Sequence, residues 1–75
     1  LFKFADAAAL ADISPVTLQK WLAGGIGRSS FGGGRHGLKR RFTFTDVFGI
    51  VLVSSLRQAG LSLDVAKRAV DLLYE

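Results

Sequence analysis

Apolar spacing and helix caps mark four helical stretches of the chain, and a long glycine-rich interruption divides the first two from the last two. Over residues 4–11, Phe4, Ala8 and Ala11 fall at helical spacing in an alanine-rich run, and Asp6 suits a helix first turn. Asp12-Ile13 breaks this run. Ser14-Pro15 then opens a second helix: Ser14 can cap it, Pro15 fits the first helical position, and Gly24 fits the position just past the end. Two short helices separated by two or three residues read as a helix-turn-helix, or equally as two packed helices of a small bundle. Residues 24–37 hold seven of the nine glycines. A helix interior is excluded there, since each glycine would cost about 1 kcal/mol. The stretch reads as a hairpin leading into a strand over 38–42, with Leu38, Arg40 and Phe42 on one side and Lys39 and Arg41 on the other.

Thr43-Phe44-Thr45-Asp46 resembles a capping box, with Asp46 where Glu or Gln is usual. A helix is predicted from Phe44 to about Ala59, stopping at Gly60. Its 47–53 run is rich in β-branched residues, so a buried strand competes; the cap before it and Leu56-Arg57-Gln58-Ala59-Gly60 after it favour helix. Ser62 caps a last helix with Leu63, Ala66, Val70 and Leu73 on one face, Ala69 beside them, and Lys67, Arg68 and Asp71 largely opposite. The expected fold is mainly α: a winged helix-turn-helix of about four helices with a two-stranded, glycine-rich basic wing. It forms a single domain over 1–75, with the helix-turn-helix at about 4–23, the wing at 24–42 and a C-terminal helix pair at 44–74.

Composition narrows the chemistry. Seventy-five residues lie near the lower limit for one self-sufficient core, and 49% hydrophobic content argues against disorder. With no cysteine and a single histidine, a disulfide framework, a zinc finger and thiol-based sensing are excluded within the segment, and no cofactor is expected. No apolar run approaches the ~20 residues that span a bilayer, so no membrane association is expected. No signal peptide is evident, and a cytoplasmic location is expected. The chain opens on Leu1 and lacks methionine, and we expect it to be an excerpt of a longer product.

Charge is distributed unevenly. Residues 13–45 carry six basic side chains (Lys20, Arg28, Arg35, Lys39, Arg40 and Arg41) and no acid. All six acids lie outside this window with only four bases, so the net +4 is +6 in the middle and −2 at the flanks. A polyanion relieves such self-repulsion, and DNA is the expected one.

Three blocks resemble the DNA-binding domain of the MerR family of transcription regulators. The family's Ser-x-x-Thr-Leu-Arg-x-Tyr block, preceded by an alanine-containing helix, is matched by Ser14-Pro15-Val16-Thr17-Leu18-Gln19-Lys20-Trp21. Its Arg-Arg-Tyr-Ser/Thr strand running into x-x-Asp-aliphatic is matched by Arg40-Arg41-Phe42-Thr43-Phe44-Thr45-Asp46-Val47. Its Leu-Arg-x-x-Gly-x-Ser-Leu block is matched by Leu56-Arg57-Gln58-Ala59-Gly60-Leu61-Ser62-Leu63. The chain departs from the pattern at Gln19 and Trp21, in its glycine-rich wing, and in lacking the family's long dimerisation helix, effector region and metal-binding cysteines. Small relatives without effector domains, including phage excisionase-like and developmental regulators, share this core.

The resemblance implies a bacterial or phage DNA-binding protein whose helix over 15–23 lies in the major groove. Val16, Thr17, Gln19 and Lys20 are then expected to face the duplex. Gln19 suits adenine N6/N7, and Lys20 a phosphate or guanine. Arg28, Arg35, Lys39, Arg40 and Arg41 are expected to clamp phosphates, and the amides at the Ser14-capped helix start also suit a phosphate. A homodimer of the full-length protein and contact with RNA polymerase are further expectations. Trp21, flanked by Leu18 and Leu22, is expected in the core, and His36 at a solvated loop tip. Arg57, Lys67 and Arg68 read as surface residues balanced by nearby acids.

Rival classes are discriminated by context. Gly32-Gly33-Gly34-Arg35-His36-Gly37 matches G-x-G-x-x-G, but a dinucleotide site needs a strand before it, a helix after it and an acid ~20 residues on. A basic strand is predicted to follow and Asp46 comes too early, so an enzyme is not expected. A protein-interaction module is the nearer rival, with the basic wing on an acidic partner and the apolar 47–53 helix as the grip. Single-strand RNA binding lacks its usual stacking aromatics, Phe31 being the sole candidate.

Overall fold

The computed structural model describes residues 1–30 and 40–75, and the chain is mainly helical with one small antiparallel sheet. Strand β1 (Phe2–Lys3) leads directly into helix α1 (Phe4–Leu10), and helix α2 (Pro15–Ala23) follows. Strand β2 (Arg41–Phe42) precedes helix α3 (Phe44–Gln58), helix α4 (Leu63–Asp71) and a closing 3-10 turn (Leu72–Tyr74). The 47–53 run is helical throughout, so the buried-strand alternative is excluded.

Three helix ends use one device. The amides of Ile13, Ile26 and Leu61 donate to the carbonyls of Ala8, Trp21 and Leu56, five residues back, at 3.0, 2.8 and 3.0 Å. In each case the preceding residue is left-handed: Asp12 at φ 56°, Gly25 at 78° and Gly60 at 91°. This is the Schellman termination, which satisfies carbonyls that the helix itself leaves open. For α2 the left-handed residue is Gly25, one later than the sequence signal placed it, while Gly24 keeps φ −86°. Asp12 adopts the same geometry with a Cβ, at a cost of roughly 1–2 kcal/mol.

Small residues set how closely the helices approach. Ala7, Ala8 and Ala11 are buried with Leu18, Phe42, Val47 and Ile50 in one cluster joining α1, α2, β2 and α3. The Ser54 hydroxyl donates to the Ala11 carbonyl at 2.7 Å and ties α3 to the end of α1. A second cluster, Val53, Ala66 and Val70, joins α3 to α4. Gly49 makes that approach feasible: a Cβ there would lie 3.3 Å from Val70 Cγ1. Trp21, half-buried, packs against both clusters and links them, in keeping with its expected core role.

The strand predicted over 38–42 has a described partner that the sequence reading did not name. Its described part, Arg41–Phe42, pairs antiparallel with Phe2–Lys3, in register Phe2↔Phe42 and Lys3↔Arg41. Aromatic burial favours this pairing: Phe42 is fully buried, its ring centroid 6.1 Å from that of Phe4, with Phe2 packed on the same cluster. The remainder of the expected hairpin, 31–39, lies outside the described residues, and with it the expected wing tip.

Helix α4 covers only part of α3. The side of α3 bearing Phe44 and Phe48 stays exposed, and together with Phe2, Leu10, Val47 and Val51 it lines an open apolar groove of about 340 Å³. The last helix therefore does not wrap its neighbour completely.

Candidate nucleic-acid interface

Helix α2 is seated by one face and open on the other. Ser14 accepts from the Thr17 amide at 3.1 Å, and Pro15 occupies the first turn where its missing N–H is not needed. Leu18 is fully buried and Trp21 and Leu22 half-buried, which fixes the rotation of the helix. That rotation leaves Val16, Gln19 and Lys20 exposed, as the sequence reading required. Thr17 is only half-exposed and its Oγ1 accepts from the Ser14 hydroxyl at 3.0 Å, so these two side chains are engaged with each other.

The basic residues fall into separate places. Arg28 is exposed, its guanidinium 4.2 Å from the centroid of the Tyr74 ring. Arg40 and Arg41 are half-buried, and the Arg41 guanidinium donates to the Arg40 carbonyl at 3.0 Å. Arg35 and Lys39 lie outside the described residues, as do His36 and Phe31. Sheet pairing adds a cation that the 13–45 window missed: Lys3 stands opposite Arg41. Like charges directly across a strand pair repel, so this edge also favours an anionic partner. Among the described residues no lysine or arginine is ion-paired to a carboxylate, and Arg57, Lys67 and Arg68 are exposed, as the surface reading expected.

A buried carboxylate organises the approach to this basic region. Asp46 is fully buried and completes the capping box of α3: its amide donates to Thr43 Oγ1 at 3.1 Å, and Oδ2 accepts from the Thr43 amide at 3.0 Å. The same carboxylate accepts from the Ser30 amide at 2.8 Å, the Ser30 hydroxyl at 2.9 Å and the Tyr74 hydroxyl at 2.6 Å. Burial pushes its pKa up, but the bonds from Tyr74, the Thr43 and Ser30 amides and the Ser30 hydroxyl outweigh this and hold it below the usual carboxylate range. Burial and the adjacent Asp46 charge push the Tyr74 hydroxyl well above its ordinary value, with Arg28 opposing in part. The Ser29 hydroxyl donates to the Arg41 carbonyl at 3.0 Å, holding the same segment to β2.

The sequence signals for Asp46, the capping box and the Asp of the second resemblance block, were both local. Its contacts with Ser30 and Tyr74 span 16 and 28 residues and follow no local pattern. Lys67 is a further miss: its Nζ lies 3.8 Å from where a side chain at Gly25 would begin, at the turn that ends α2. Among the described residues no three His, Asp or Glu side chains gather in a way that would hold a metal ion, and no helix is long and apolar enough to cross a membrane. No protein-family model, no curated protein and no solved structure matches the chain.

Proposed function

We propose that this chain binds double-stranded DNA sequence-specifically and acts in transcription regulation, with α2 in the major groove and the basic side chains on phosphates. One observation carries the reading: α2 is anchored by Leu18, Trp21 and Leu22 and turns Val16, Gln19 and Lys20 to solvent. A capped helix with a short, adaptable polar face of this kind fits a groove about 12 Å wide. The absence of any acid between residues 13 and 45 gives the surroundings the sign that a phosphate backbone needs. MerR-like regulation and an excisionase-like architectural role are the two forms this reading takes.

The test is fluorescence anisotropy of the 75-residue chain with a labelled pool of random 30-base-pair duplexes, titrated over salt. Binding is expected with a log–log slope of about −4 to −6, from about 0.9 per neutralised phosphate. Sequencing the bound pool then yields the preferred site, and Gln19→Ala or Lys20→Ala should change that preference. No binding even at low salt overturns the proposal. The groove lined by Phe44 and Phe48 favours one second reading, a protein-interaction module that uses the basic surface on an acidic partner. In that case the α2 variants leave partner binding unchanged.

A further inference from the structure

Helix α4 and the closing turn stand next to the basic segment that follows α2, although neither belongs to the basic window of the sequence. Lys67 Nζ and Cε lie 3.8 and 3.9 Å from where a side chain at Gly25 would begin. Three residues on, Arg28 stacks on Tyr74, itself fixed by its hydroxyl to the buried Asp46. The turn from Gly25 to Arg28 therefore has a cation at each end, and both are exposed and free of ion pairs among the described residues. An arginine over a ring face keeps its N–H edge available for an anion while losing conformational freedom to the ring.

We propose that Lys67 and Arg28 form one phosphodiester-binding site at the turn that ends α2, with Tyr74 as the positioning residue for Arg28. The site rests on the DNA-binding reading and extends it, making the C-terminal helix part of the interface. Ligand chemistry follows from the donors. A compact ammonium and a planar guanidinium fork, with no carboxylate paired to either, suit the charge of a nucleic-acid backbone and carry no base preference. The two-point arrangement also constrains the rotation of α2, because Gly25 is the residue that terminates it.

The experiment measures the salt slope of duplex binding for the full chain and five variants, with far-UV circular dichroism to check folding. Lys67→Gln and Arg28→Gln should each lower the slope by about 0.9, the value of one lost phosphate contact. Arg68→Gln, a neighbouring charge loss on the same helix, should leave it unchanged. Tyr74→Leu should match Arg28→Gln, whereas Tyr74→Phe keeps the ring and should retain the wild-type slope. A purely structural role for Tyr74 predicts altered stability in both Tyr74 variants with no change of slope in either. If the wild type binds and Lys67→Gln keeps its slope, or Arg68→Gln loses as much, the site is overturned while the DNA-binding reading stands. If the wild type does not bind, both fall.

Discussion

Helices α2 and α3 begin with the same chemistry and use it differently. Ser14 caps α2 at the surface, bonding only to Thr17 three residues on. Thr43 and Asp46 cap α3 with a full reciprocal box, but Asp46 is buried and also holds Ser30 and Tyr74. An exposed cap contributes the ordinary stability of one hydrogen bond that water otherwise supplies. A buried carboxylate with four hydrogen-bond donors is a junction, and removing it strands every donor away from water. The comparison shows why the α2 surface is open to substitution for recognition while the start of α3 is committed to the fold.

Asp46→Ala is the strongest test of that contrast. It should destabilise the domain by about 3 kcal/mol or more, from the loss of charge-assisted bonds and the burial of unpaired donors. Chains of this length have only about 4–11 kcal/mol in total. Urea denaturation measures it, and a loss below about 1 kcal/mol would make the two caps equivalent. Acid provides the next test. Because the folded-state pKa of Asp46 is depressed, its contribution is fully present above the unfolded value near 4 and is lost as pH falls through the folded value. The urea midpoint should therefore drop on acidification below about pH 4, and Asp46→Asn should show a weaker drop from a lower starting point. Equal acid dependence in the two proteins would break the assignment. Ser14→Ala is the mildest case, costing about 1 kcal/mol at most exposed caps. Its effect on stability should be the same at pH 3 and pH 7, since no charge is involved.

Much of the architecture was legible because it depends on near neighbours. Ser14-Pro15, the Thr43–Asp46 box and Ser62 mark helix starts through side chains that reach three residues along the chain. The stops at Asp12-Ile13 and Gly60 were legible for the same reason, while the stop of α2 moved from Gly24 to Gly25 because two adjacent glycines give equivalent local signals. The exposed face of α2 followed from the spacing of Leu18, Trp21 and Leu22. The pairing of Phe2–Lys3 with Arg41–Phe42 did not follow, because it depends on burying Phe42 against Phe4, a contact 38 residues apart in the chain.

The sequence by itself therefore determined where helices begin and end, which side of α2 stays open, and the excess of positive charge around it. These are consequences of periodicity, capping reach and side-chain charge, all readable within a few residues. Only the tertiary structure decided that Lys3 stands beside Arg41, that Lys67 reaches the end of α2, and that Ser30, Asp46 and Tyr74 meet at one carboxylate. Those meetings join residues from 16 to more than 40 positions apart. Packing of the two hydrophobic clusters across Trp21 and Gly49 brings them together, and no local preference encodes that.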